Sequence, residues 1–285
     1  MAASHLSTTV DKAHRFDQAR RAILVARLLG GIAPTITLLA YLFLFVPIIV
    51  LIIYSFNASR STVVWSGFTL DWYGMVLADE GLRRALVISG ITAIASASIS
   101  TAIGTVTAFV IVRRQFPGRD LLATLLLAPL VLPEIVIAVA FLVFMVFAGI
   151  QLGYFTLITG HVLISIPFTM LIVRTAAAAL DRRLEEAAAD LGASEWQTFT
   201  RVTLPLLMPA IFTSFLLAAT LSFDNFVMST FASGVGTTPL PLRIYSMLKT
   251  GITPEINALG ALMVLVNILL VVAVMGRRLH YFVKR

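Results

Sequence analysis

The sequence contains no cysteine and little charge. Without cysteine there is no disulfide framework, no thiol nucleophile and no cysteine-ligated metal, and residue usage reports no redox compartment. The four histidines, His5, His14, His161 and His280, lie without metal-ligand spacing, which argues against a histidine metal centre. Only 12% of the 285 residues are Asp, Glu, Lys or Arg, about half the ~25% of an ordinary soluble domain. No internal repeat is evident, whereas many secondary transporters are built from inverted repeats.

In place of charge there is apolar length. Hydrophobic residues make up 59% of the chain and the mean hydropathy is +0.97, so the fold class is an all-α integral membrane protein. The formal charge of +7 lies beside the apolar runs, where basic residues orient helices, and it is not read as a nucleic-acid surface. Six runs are long enough to cross a bilayer, near 32–56, 85–112, 121–148, 154–173, 206–231 and 256–276. The first is uncharged from Leu28 to Ser59, too long for the core of a cleaved signal peptide, and reads as a retained helix.

Basic residues set the expected orientation. Lys12, Arg15, Arg20, Arg21 and Arg27 precede the first run, Arg113, Arg114 and Arg119 separate the second from the third, and Arg277, Arg278, Lys284 and Arg285 close the chain. All fall on one side of a six-helix protein, and the positive-inside rule makes that side cytoplasmic. The expected organisation is a cytoplasmic tail at 1–27, a membrane domain over 28–279 and a short cytoplasmic tail at 280–285. Both termini and the long loop between the fourth and fifth runs then lie inside. Pro47, Pro129, Pro133, Pro167 and Pro209 interrupt apolar runs as tolerated kinks.

That long loop holds the stretch EEAAADLGASEWQTFTRVTLP, Glu185–Pro205. Strong helix formers run to Leu191, and Gly192 supplies the residue that turns a chain out of a helix at least cost. Ser194 with Gln197 three residues later spells a capping box. The second helix is expected to run through Trp196, Phe199 and Val202 and to stop at Leu204-Pro205. On the first helix Glu185, Ala188 and Gly192 share a face, setting a negative charge beside small residues that allow another backbone close approach. The alternative is an amphipathic helix on lipid headgroups. Five acids against four bases from Arg174 to Pro205 suit an anionic membrane surface badly, so a protein partner is the better physical reading.

Glu186-Ala187-Ala188, Gly192 four residues after Ala188, then Val202-Thr203-Leu204-Pro205 resemble the EAA signature of the membrane subunits of ABC importers, with Val202 where isoleucine is usual. Further stretches, VLPEIVIAVAFLVF, GIQLGYFTLITGHVLISIPF, SFDNFVMSTFASG and LPLRIYSMLKTGITPEINAL, are similar to the second permease of spermidine/putrescine importers. The resemblance implies a six-helix importer permease of the type I architecture in a bacterial inner membrane. It implies a cytoplasmic knob at 184–205, with Glu185, Glu186, Ala187, Ala188, Gly192, Leu204 and Pro205 docking into an ATPase. The implied partners are two ATPase subunits, a second homologous permease, an extracytoplasmic solute-binding protein and membrane lipid, with no nucleic acid. No G-x-x-x-x-G-K-[ST] phosphate loop is present, so no cofactor is expected on this chain, and ATP with Mg is expected in the partner ATPase.

Two acids, Glu134 and Asp224, lie within apolar runs, where a carboxylate costs about 2.5–3.5 kcal/mol to insert at a helix centre. They line a translocation path, or they cap wet ends of helices broken near Pro133 and Ser222. Two acids in a path favour a cationic cargo. Trp72 and Tyr73 can add cation–π attraction at an outer mouth, although an interfacial anchor is the commoner use of Trp at that depth. Similar polyamine permeases carry an aromatic pair before the second helix, an acid after the proline of the third and paired acids in the fifth. These carry over to Trp72, Glu134 and Asp224, while the second acid of the last pair is Asn225 here, a neutral hydrogen-bonding group; Ser222 adds a polar contact. Ferric iron, thiamine or an aminophosphonate are alternative cargoes, and a proton-coupled secondary transporter using the two acids is the alternative mechanism. Glu195 is read as a helix-dipole partner and His161 as an interhelical hydrogen-bonding group.

Overall fold

The computed structural model describes residues 34–59, 64–251 and 253–283. The expected tail at 1–27, with its basic residues, lies outside the described residues, as do Arg60, Lys284 and Arg285. The described residues divide into two compact units, one formed by residues up to 73 together with those from 253 onward and the other by the residues between.

In the first unit α1 (Pro34–Tyr54) is apolar all round and α12 (Pro254–Val283) returns the chain. They meet closely: a Cβ added at Gly260 would sit 3.1 Å from the Leu51 side chain, the close approach that small residues permit between membrane helices. After α1 the chain folds back on Asn57, whose side chain donates to Val64 O at 2.8 Å and accepts from Ser66 N at 3.0 Å. Phe56 stacks on Phe68 at 5.2 Å and tilts against Tyr73 at 5.3 Å.

The second unit begins within α2 (Asp71–Ala78) and is built on three long helices, α3 (Glu80–Arg113), α6 (Tyr154–Ala179) and α9 (Leu204–Phe223). At 1.5 Å per residue α3, with 34 residues, is about 50 Å long, so it overruns a hydrocarbon core of about 30 Å. Small and hydroxylated residues line its buried face, including Ser96, Ala97, Ser100, Thr101, Gly104 and Ala108. A Cβ on Gly104 would fall 2.2 Å from Thr169 Oγ1 and 2.8 Å from Met170 N, so only glycine fits where α3 crosses α6. At the same crossing Thr169 Oγ1 donates to Ser100 O at 2.8 Å. Ile111, Met170, Val173, Ala177 and Leu207 complete one core cluster, and Ile88, Phe141, Met145, Leu157 and Met228 a second.

Two of the expected runs are not single straight helices. The third is divided into α4 (Arg119–Val131) and α5 (Glu134–Phe147), bent by 110°. Leu132 is extended, as a residue before proline prefers, and Pro133 caps α5 without an N–H to give. Pro129 is accommodated inside α4. The fifth run stops at Phe223 and resumes as α10 (Val227–Ala232), followed by α11 (Leu240–Thr250). Conversely, the fourth run extends to Ala179. Among the described residues four helices are long and apolar enough to cross a bilayer, or five if the bent pair is one crossing, with a shorter apolar stretch at Pro254–Val266.

Candidate functional site

The motif of the long loop folds as α7 (Arg183–Asp190), a turn, and α8 (Glu195–Thr198). Gly192 sits in the left-handed region with φ +84, which costs any other L-residue roughly 1–2 kcal/mol except Asn or Asp. The capping box is formed: Ser194 Oγ accepts from Gln197 N at 3.3 Å, and Ser194 N donates to Gln197 Oε1 at 2.9 Å. The second helix does not stop at Leu204-Pro205. It passes through one wide π-turn, Phe199–Thr203, with Leu204 N bonded to Phe199 O, and runs on as α9. The wider turn makes room for Pro205, whose ring would otherwise press on the carbonyl one tight turn behind.

Only part of this knob faces outward. Glu185, expected to offer its charge to a partner, is turned inward: Arg113 Nε, in the last turn of α3, donates to its Oε1 at 3.1 Å and Thr203 Oγ1 to the same atom at 3.0 Å. Arg113 Nη2 also donates to Leu180 O at 3.3 Å. One carboxylate oxygen therefore ties α3, α7 and the π-turn together. A second pair, Arg114–Glu195, lies alongside, which gives Glu195 an ion-pair partner in addition to its place in the first turn of α8. Phe109 meets Phe199 at 4.8 Å. Glu186, Ala187, Gly192 and Pro205 are exposed, and Ala188 and Leu204 half-buried. Leu191 at 90% and Trp196 at 71% exposure form an uncovered apolar edge. Between knob and α3 opens a cleft of about 760 Å³, lined by Arg113, Arg114, Glu186 and Trp196 among others.

The two acids of the apolar runs both occupy helix breaks. Glu134 opens α5 directly after Pro133, and Asp224 closes α9 and is exposed. The structure brings them together through Asn225, whose Nδ2 donates to Glu134 Oε1 at 2.5 Å while its Oδ1 accepts from Met228 N at 2.8 Å. The two bonds fix the amide's orientation, since its oxygen faces a donor and its nitrogen an acceptor. Ser222 is not on this polar edge. It is buried and hydrogen-bonded to His161 and Ser96. Trp72 and Tyr73 belong to the other unit, where Trp72 is buried with its Nε1 donating to Asn57 O at 2.8 Å, and the Tyr73 hydroxyl pairs with Ser55 Oγ at 2.6 Å. Sequence reasoning missed Arg113, which reads with Arg114 as an orientation signal because its partner lies 72 residues away.

Three kinds of comparison bear on this arrangement. Residues 100–285 match the family described as binding-protein-dependent transport system inner membrane component. The spermidine/putrescine transport system permease protein PotC of Escherichia coli K12 is 39% identical over 251 residues, covering 88% of this chain and 94% of that protein. The chain belongs to this family. It is thus an inner-membrane transport subunit of a binding-protein-dependent system. The putrescine permease PotI of the same organism is 38% identical over 234 residues, covering 80% of this chain and 83% of its own. In a solved structure of a bacterial alginate ABC transporter with a pentasaccharide-bound periplasmic protein, one chain shares the fold with a TM-score of 0.66, at 21% identity, over 92% of this chain and 96% of its own.

Proposed function

We propose that this chain is one of two permease subunits of an ATP-driven importer for an organic polycation, with spermidine and putrescine as the cargo class. It crosses the membrane six times with both termini inside, beside a second, homologous permease. Two ATPase subunits bind ATP and Mg, this chain having no phosphate loop, and an extracytoplasmic binding protein delivers the cargo. The observation that carries the reading is the knob at 184–205, whose EAA spacing coincides with an exposed Glu186-Ala187 edge and the bare side chains of Leu191 and Trp196. A partner that buries them gains roughly 25 cal/mol per Å² of apolar surface.

The polyamine assignment is supported by the relatives' names and by charge. Glu134 and Asp224 present carboxylates at two helix breaks, and Asn225 holds Glu134 in place without adding a third. An alkyl ammonium can exchange the Asn225 amide for its own N–H donors on Glu134 and be passed to the exposed Asp224. Few, exchangeable contacts suit a path that must release its cargo. Closure of the ATPases moves the knob, and the knob moves α9, with which it is continuous, and α3, to which Arg113 ties it.

The test is affinity purification of the tagged chain from its native membrane with mass spectrometry of what stays bound. Wild type is expected to retain an ATPase and a second permease. Gly192→Val should lose the ATPase while Gly192→Asn, which tolerates positive φ, keeps it; among the described residues, its chain neighbours aside, no atom lies within 4 Å of a Cβ at 192. Retention of the ATPase by a Gly192→Val, Glu186→Lys double variant would remove the knob from the docking surface.

A further inference from the structure

Between Pro209 and Gly234 the sequence has neither proline nor glycine, yet the helix stops at Phe223 and restarts at Val227. Ser222, Asp224 and Asn225 disfavour a helix only mildly, so tertiary contacts are needed to hold the break. Two are present. Asn225 caps α10 through Met228 N, and a buried imidazole spans the gap. His161 Nδ1 lies 2.6 Å from Ser222 Oγ, two residues before Asp224, and its Nε2 lies 3.1 Å from Ser229 Oγ, four residues after Asn225.

Ser96 Oγ, on α3, donates to Ser222 Oγ at 2.9 Å and to Ala93 O at 3.3 Å, and in either neutral tautomer the imidazole takes a proton from one serine and gives one to the other. His161 is 1% exposed, and Ser96 and Ser229 are 0% exposed. No water competes for these bonds, and a neutral imidazole is the side chain that offers an acceptor and a donor on opposite edges. In a straight helix, residues 222 and 229 would stand two turns apart on one continuous face. Here one ring holds both rims of the interruption.

We infer that His161 is a positioning residue for cargo recognition: by bridging Ser222 and Ser229 it keeps the α9–α10 break open and so presents Asp224 and Asn225 to the cargo beside Glu134. This rests on the reading of Glu134, Asp224 and Asn225 as the cation path. His161 does not touch the cargo. The side chain acts through the backbone of the break.

The experiment is spermidine uptake by the complete importer reconstituted in proteoliposomes, with half-saturation and maximal rate measured separately for His161→Phe, Ser229→Ala, their combination and Glu134→Gln. Phe keeps the ring and its packing but makes neither bond. The expected result is a rise in half-saturation of about tenfold for His161→Phe and about threefold for Ser229→Ala, with maximal rate within about twofold of wild type. The combination should match His161→Phe alone, because the serine acts only through the ring. If Glu134→Gln raises half-saturation while His161→Phe leaves it unchanged, or if the two clasp substitutions multiply, the positioning role is wrong and the cargo path stands. If Glu134→Gln has no effect either, the cargo-path reading itself fails. Should His161→Phe not assemble, Ser229→Ala, which removes one oxygen, decides alone: an unchanged half-saturation overturns the inference.

Discussion

Two arginines that follow one another at the end of α3 should differ greatly in what they contribute. Arg113 and its partner Glu185 have side chains only 9% and 21% exposed, whereas Arg114 and Glu195 are 59% and 82% exposed. Removing one partner of a fully buried pair costs about 3–5 kcal/mol because the other charge is left uncompensated. Water reaches part of Glu185, and Thr203 still donates to it, so Arg113→Ala should cost about 2–3 kcal/mol. Arg114→Ala should cost about 0–1 kcal/mol, the range of exposed pairs. At roughly 2–4 °C per kcal/mol for a large chain, melting of the complex in lipid nanodiscs should fall by about 4–12 °C for the first and by no more than about 4 °C for the second. Arg113→Lys should be intermediate, since it keeps the charge but loses the fork that also reaches Leu180 O. The same variants should differ in uptake per ATP hydrolysed, with Arg113→Ala uncoupled and Arg114→Ala near normal. Equal melting shifts for the two alanines, or coupling unaffected by Arg113→Ala, would refute the claim that this carboxylate oxygen joins the knob to α3.

Asp224→Asn removes the exposed carboxylate while keeping its shape. If an ammonium contacts it, the loss of a charged hydrogen bond of about 1.5–3 kcal/mol should raise half-saturation for spermidine uptake by about tenfold to a hundredfold, measured in proteoliposomes with saturating binding protein. At the other end of α3, Asp79 accepts from Leu82 N at 2.9 Å and pairs with Arg243. The Leu82 amide, assisted by Gly81 and Arg243, holds its carboxyl below the ordinary value of 3.8. A carboxyl lowered on folding stabilises above its unfolded value, and that contribution is lost as pH falls through the folded value. Asp79→Ala should therefore cost about 1 kcal/mol at neutral pH, the worth of a helix cap, and the difference from wild type in thermal melting should shrink as the pH is taken below 3.8.

Local signals were legible and long-range ones were not. The capping box at Ser194–Gln197, the positive φ at Gly192 and the break at Pro133 each depend on residues within a few positions of one another, and each is where the sequence puts it. Apolar length located the helices, and a break near Ser222 stood only as an alternative to one continuous 206–231 run, because no proline or glycine marks it; a histidine more than sixty residues earlier bridges its two rims. Glu185 has the same lesson. Its place on a face with Ala188 and Gly192 suggested a partner, but Arg113 and Thr203 already satisfy it. Helix continuity through Pro205 was hidden for a different reason: proline predicts a boundary, and a single wide turn can absorb it instead. Asn225 in place of an acid reads as a missing charge in the sequence. In the fold it is the donor that secures Glu134.

ATP-dependent uptake of radiolabelled spermidine into proteoliposomes holding this chain with its co-purified permease, ATPase and binding protein decides between an ATP-driven polyamine importer and its rivals. Such an importer gives accumulation that requires ATP, survives an uncoupler and is competed by unlabelled putrescine. Uptake that persists without ATP and collapses with the uncoupler would contradict that reading, as would ATP-driven transport of another solute that neither polyamine inhibits.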